Sequence, residues 1–312
     1  MLHLRLITPA ERTDDVVRLI ERTVGATHLV VLPRAARNPA GDVVLCDVAR
    51  EAGDELLSDL QKLGLEETGS IAVENIDLSL SLRADKAEAE APGEGADAVL
   101  WEHLTDATHE DSTLSVTYLA FITLATMIAA CGVVLDNAVL IVGAMAVGPE
   151  FGPLAGISTS IVQRAPRLAL RSLIALLVGF AVAMAVTVGF SLFMDALDLF
   201  SKDRLEGDRP QTGFVYAPDA FSFVVAVLAG VAGTLSLTSA KSGALVGVAI
   251  SVTTVPAAAN AAVALSYGDM NQTWGSAKQL LLNLLGIILA GTLTLLIQKW
   301  AWSKQRPPAK AT

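Results

Sequence analysis

Histidine, cysteine and aromatic residues are scarce in this chain: 312 residues hold four histidines, two cysteines and only 5% Phe, Trp and Tyr. Cys46 falls in an expected strand and Cys131 in a long apolar run, so no bridge between them is expected. Neither stands in a metal-ligand spacing, and no cofactor is expected. A nucleophile–base pair and a glycine-rich phosphate loop are missing as well, so the chain is not read as an enzyme. Basic residues are outnumbered, 22 against 32 acidic, and form no stripe of the kind that nucleic-acid binding needs. The first residues, Met1-Leu2-His3-Leu4-Arg5-Leu6, lack the basic region and apolar core of a signal peptide. The N-terminal part is therefore expected to stay in the cytoplasm.

What is abundant is apolar residues, 53% of the chain, with a mean hydropathy of +0.53. They are unevenly placed. Residues 1–111 hold 23 Asp/Glu against 10 Lys/Arg, and the remainder 9 against 12. Beyond residue 112 come uncharged runs of about 20 residues, each enough to span a bilayer.

Residues 1–82 read as strand, helix, strand, strand, helix, strand. Leu2, Leu4 and Leu6 alternate with His3 and Arg5, as a strand with one buried face requires. A helix is expected from Glu11 to Val24, strands over 28–32, 42–48 and 71–80, and a second helix marked by Leu56, Leu57, Leu60 and Leu63. Arg34 to Gly41 is read as a connecting loop, with Asn38, Pro39 and Gly41 as turn residues. That order is the ferredoxin-like split βαβ arrangement. His3 and Arg5 are expected to face solvent or a second subunit, and Cys46 the core. Residues 83–112 are expected to form a flexible, acidic, Ala/Glu-rich linker and then an amphipathic helix, with Trp101 at a membrane interface or against the soluble domain.

Residues 113–299 are expected to form an all-α polytopic membrane domain of six helices, over about 114–135, 137–160, 168–194, 219–239, 243–266 and 277–298. Arg164, Arg167 and Arg171 lie between spans two and three, and Lys299, Lys304, Arg306 and Lys310 fall at the end, in or beside a basic tail over 300–312. The positive-inside rule then gives a multi-pass protein of the prokaryotic inner membrane with both termini cytoplasmic. The acidic loop from Asp195 to Asp219 falls outside and Lys241 inside. Val142-Gly143-Ala144-Met145 resembles Val246-Gly247-Val248-Ala249, and the two glycines are 104 residues apart. Each segment precedes a proline-bearing interruption. With three spans per half, the halves would insert in opposite directions, a 3+3 inverted repeat with interrupted helices two and five.

Those interruptions are the candidate site. Pro149, Glu150 and Pro153 mark the first; Thr253, Thr254 and Pro256 the second, with Asn260 beyond it. Glu150 is the one carboxylate in the interior of the apolar runs, and a carboxylate at that depth is costly. Two readings stand open. It caps a new half-helix, or it binds a proton, a cation or the solute. Asp136 and Asn137 are expected to cap the outer end of span two, and Lys241 to anchor the cytoplasmic turn.

Further residues carry a resemblance. Ser115-Val116-Thr117-Tyr118-Leu119, Asp136-Asn137, Ile141-Val142-Gly143-Ala144-Met145 and Pro149-x-x-Gly152-Pro153 stand in order. Leu235-Ser236-Leu237-Thr238-Ser239-Ala240-Lys241-Ser242-Gly243-Ala244 and Thr253-Thr254-Val255-Pro256-Ala257-Ala258-Ala259-Asn260 follow. Together they resemble the prokaryotic "uncharacterised hydrophobic domain" family over about residues 112–265. The resemblance implies a multi-spanning membrane protein of bacteria or archaea and no activity. Many of that family's members have apolar residues where this chain has Glu150-Phe151. By that resemblance the shared features are the backbone breaks and the neighbourhoods of Asn260 and Lys241.

The sequence therefore points to a transporter or channel-like protein. Its partners would be the lipid bilayer, a small polar or ionic solute and, through the soluble domain, a second copy of the chain. The alternative is a membrane sensor or scaffold whose soluble domain binds a ligand or partner.

Overall fold

The structure, a computed structural model, describes residues 1–93, 95, 98–216, 220–239 and 254–305. The described residues fall into two compact units, one built on residues 1–103 and the other on residues 104–237 and 254–299.

The first unit is a four-stranded antiparallel sheet with two helices: β1 (Leu2–Thr8), α1 (Thr13–Arg22), β2 (Ala26–Arg37), β3 (Ala40–Val48), α2 (Arg50–Lys62) and, after a short helical turn α3 (Leu65–Thr68), β4 (Ser70–Asn75). The strand order is β2-β3-β1-β4. Leu4 sits opposite Cys46 on one side and Val73 on the other. Leu2, Leu4, Leu6, Val44, Cys46 and Val48 form one buried face, closed by Val16, Ile20, Leu56 and Leu60 of the helices. Cys46 is thus a core thiol, and burial pushes its pKa up to about 12. On the opposite face Asp47 accepts from both His3 and His28, each at 2.7 Å, and His28 meets the Ser81 hydroxyl at 2.9 Å. The order Ser, His, Asp is that of a nucleophile relay, but Ser81 Oγ is engaged otherwise. It accepts from the backbone of Arg83 and Ala84 as a helix cap.

That cap corrects one expectation. The stretch read as a flexible linker opens with a helix, α4 (Leu82–Glu90). Ala84, Ala87 and Ala91 recur at helical spacing and are buried, and a Cβ on Gly25 would lie 3.2 Å from that of Ala91. Small side chains here permit close packing, a use of Ala that composition alone conceals. The segment Arg34–Gly41, expected as a loop, is mostly strand: β2 runs to Arg37, with an irregular register between Leu32 and Ala36. β4 ends five residues short of the expected Leu80.

The second unit begins within α5 (Trp101–Asp111) and continues through α6 (Val116–Val134), α7 (Ala138–Val147), α8 (Phe151–Gln163), α9 (Pro166–Ala196), α10 (Lys202–Glu206), α11 (Ala220–Thr238), α12 (Val255–Ser266) and α13 (Met270–Gln305). α6, α9, α11 and α13 are long and apolar enough to cross a membrane, and α7 with α8, bent by 56°, makes a fifth candidate span. Only the α12 end of the expected span over 243–266 is described.

These helices are inside-out by the standard of a soluble protein. On α13 Leu281, Leu285, Leu289, Leu293 and Leu296 are exposed, while Ser276, Gln279 and Asn283 are buried. α9 likewise exposes Leu170, Leu173, Leu177 and Phe193 and buries Ser172, Thr187 and Ser191. An apolar outer surface of this extent suits lipid and not water. Small residues bring the helices close. A Cβ on Gly230 of α11 would fall 2.7 Å from the Ile287 carbonyl of α13, against rigid backbone. Gly230→Val is expected to destabilise the bundle by about 1–3 kcal/mol, seen as a lower Tm of the detergent-solubilised protein and unmatched by the same change at Gly143, which has open space.

Candidate functional site

The break between α7 and α8 follows from Pro149. It offers no N–H to α7 and holds Gly148 extended, at φ −66° and ψ 125°. Pro153 does not break anything: it lies in the first turn of α8, where a missing N–H costs no hydrogen bond. Pro256 holds the same kind of place in α12. Each of these helices is 10 to 13 residues long, about 15–20 Å at ~1.5 Å per residue, and none crosses a core of ~30 Å alone.

Glu150 stands at the N-cap position of α8, 1% exposed. Its side chain makes no capping bond to the amides of that helix. Instead Oε1 accepts from the Thr254 hydroxyl at 2.8 Å, across 104 residues of sequence. Thr254 is itself the N-cap residue of α12. The N-termini of two interrupted helices therefore meet at one carboxylate, and both helix dipoles present their positive ends to it.

The two half-helices leave this point in opposite directions. α8 ends at Gln163, beside the start of α9 at Pro166. α12 ends beside the other end of α9, where Ser266 and Ser191 are 2.9 Å apart and Tyr267 donates to Asp195 at 3.0 Å. Tyr118 of α6, buried with its hydroxyl unpartnered among the described residues, is an electrostatic neighbour of Glu150. Pro149 is half-buried; Pro153, Thr254, Pro256 and Asn260 are buried. Thr253 and Lys241 lie outside the described residues.

Asn260, two turns along α12, is fully buried between two partners. Its amide donates to Ser276 of α13 at 2.8 Å, and its carbonyl oxygen accepts from Arg209 at 2.9 Å. Arg209 comes from the segment between α9 and α11, which sequence reasoning treated only as an acidic loop. It is 5% exposed, donates also to Gln272 at 2.6 Å, and lies 4.8 Å from the centre of the Tyr216 ring. Burial pulls its pKa below the ordinary value, with Tyr216, Asp136 and Asp269 pulling the other way. Asp136, expected as a helix cap, serves this segment instead and accepts from the Gln211 amide and the Thr212 hydroxyl. Asn137 does cap α7, through Val139 and Leu140. A signal for Arg209 was available. Gln272, Ser276, Gln279 and Asn283 recur at spacings of four, three and four along α13, so something polar had to face them.

Residues 145–289 match the family described as "Domain of unknown function (DUF389)". The matched stretch holds Glu150, Arg209, Thr254, Asn260 and the polar face of α13. An uncharacterized protein of Methanocaldococcus jannaschii is 27% identical over 231 residues, 72% of this chain and 68% of that protein. No solved structure matches the chain. The similarity is thus to proteins without an assigned activity. Among the described residues, no group of His, Cys, Asp and Glu could hold a metal ion.

Proposed function

We propose that the chain is an inner-membrane transporter or channel-like protein for a small polar or ionic solute, and not an enzyme. The observation that carries this reading is the contact of Glu150 with Thr254, where two oppositely directed half-helices start from one buried carboxylate. Irregular backbone at membrane depth is tolerated where protein or a polar path surrounds it, and paired broken helices are the ion and solute sites of secondary transporters.

An internal repeat supports the same reading. The starts of α6, α8 and α9 at Val116, Phe151 and Pro166 recur at Ala220, Val255 and Met270, the starts of α11, α12 and α13, each 104 residues further on. Glu150 and Thr254 are separated by that same offset. In an inverted repeat of three and three spans, only residues near the pseudo-twofold axis touch their own counterparts. The N-terminal domain, with its ferredoxin-like element order, regulates the pathway or joins subunits. The termini are cytoplasmic, by the placement of Arg164, Arg167, Arg171 and Lys299.

The test is flux. Full-length protein in liposomes is expected to give saturable, protein-dependent uptake of at least one solute from a panel of inorganic ions, carboxylates and amino acids. No uptake of any of them, together with ligand binding by the N-terminal domain, would favour the sensor reading.

A further inference from the structure

Among the described residues, Arg209 is the one buried cation, and the pathway reading does not use its charge. Its guanidinium is held by the neutral oxygens of Asn260 and Gln272 and by the face of Tyr216. No carboxylate lies within ion-pair distance among the described residues, and its Nε has no hydrogen-bond partner there. Asp136 and Asp269 contribute only at longer range, and both are engaged elsewhere: Asp136 with Gln211 and Thr212, Asp269 with the amide of Gln272. A guanidinium stays protonated at any working pH. Burying it without a counter-charge costs several kcal/mol, so a site of this kind is suited to an anion that comes and goes.

The surroundings agree. Thr254 lies six residues before Asn260, about 9 Å along α12, so the two convergent helix N-termini and the guanidinium share one short polar column. Helix N-termini favour anions, and arginine presents a fork that matches a carboxylate or a tetrahedral oxyanion. The column otherwise offers neutral donors and acceptors, Ser276 and Gln279 among them. Gln279 Oε1 is buried and unpartnered among the described residues.

We propose that Arg209, with Gln272 and Asn260, is the recognition site for a small anion, a carboxylate or an inorganic oxyanion, at the loop end of the interrupted-helix pathway. This rests on the transporter reading for its role but not for its existence as a binding site.

The test uses full-length protein in detergent, with thermal unfolding followed as sodium acetate, phosphate or sulfate is titrated at constant ionic strength with chloride. At least one of the three is expected to raise Tm saturably. Arg209→Gln should weaken that binding by at least about tenfold. Because Arg209→Gln also loosens the loop, Gln272→Glu gives a second arm. This nearly isosteric change sets a carboxylate against the guanidinium, and it should raise Tm without added anion while abolishing the saturable shift. No saturable shift with any of the three in the wild type, or a saturable shift equal in wild type and Gln272→Glu, would overturn the site. Saturable binding without flux in liposomes keeps the site and removes the transport reading; flux of cations or neutral solutes without saturable anion binding does the reverse.

Discussion

Replacing Glu150 with glutamine is expected to cut solute flux in liposomes by more than about tenfold while leaving the fold intact. The substitution keeps the shape of the side chain, and an amide oxygen still accepts the Thr254 hydroxyl that Oε1 accepts now at 2.8 Å. It removes the charge and the capacity to bind a proton. A carboxylate that is 1% exposed in an apolar bundle is expensive to keep ionised. The dipoles of α8 and α12 lower that cost, and on the transporter reading an ion or proton bound beside it would change it again. On the transporter reading, this carboxylate is the group placed to couple a bound solute to a change of state. The capping role leads elsewhere. The side chain makes no bond to the amides of α8, so a purely structural Glu150 would act through partners such as Thr254 and not as a helix cap. In that case Thr254→Val and Glu150→Gln would differ, the first lowering Tm and the second changing neither Tm nor flux. Unchanged flux in Glu150→Gln, with protein of wild-type stability, would remove the carboxylate from the mechanism.

Much of this arrangement is legible in the sequence because the forces involved are local or periodic. The alternation of Leu2, Leu4 and Leu6 fixes the buried face of β1, and the cysteine at position 46, in phase with Val44 and Val48, joins the same core. Pro149 ends α7 because it follows that helix's last turn and lacks an N–H to continue it. The role of Pro153 was harder to read, because the same residue breaks a helix from inside and opens one from its first turn. α4 was missed because its signal is packing: Ala84, Ala87 and Ala91 are small enough to lie close to the sheet, and charged neighbours dominate the composition. The burial of Arg209 was missed for a related reason. A loop averaged as acidic hides one cation whose partners, Asn260 and Gln272, lie 51 and 63 residues away. Net charge describes what a segment does in water, and it says little about a side chain that leaves water.

The 104-residue offset ties these observations together. As a likeness between Gly143 and Gly247 it was a pattern in small residues, which are frequent in any membrane helix. As a contact between Glu150 and Thr254 it is a constraint on geometry. The offset also relates Gly156 to Asn260 and Ser172 to Ser276. In the first half, a Cβ on Gly156 would fall 2.4 Å from the Ser172 hydroxyl and 2.6 Å from that of Ser112. At the position 104 residues further on, Asn260 bonds Ser276 and Arg209. Small side chains pack closely at the first position, and a hydrogen-bonded cation stands at the second. Under the proposed repeat, corresponding positions in the two halves differ in chemistry, as the two ends of a directional pathway would.

Tethering α12 to α9 is expected to stop transport reversibly. The hydroxyls of Ser191 and Ser266 are 2.9 Å apart at the far end of α12. Cysteines at both positions, in a background with Cys46→Ala and Cys131→Ala, place two sulfurs close to the ~2.05 Å bond length of a disulfide. If solute reaches the column through rocking of one half against the other, the end of α12 must part from α9 in one of the two states. The oxidised protein is then held in the state described here, and flux should fall by more than about tenfold and return on reduction. The pair Ser112 and Ser172, 2.8 Å apart at the other closure, supplies the matching tether. Locking either end should stop an alternating transporter. A channel needs no such motion and would conduct with one or both bonds formed. Quantitative cross-linking at Ser191 and Ser266 with full flux would rule out movement of α12 against α9, and the polar column would then have to admit solute through a bundle that stays as it is.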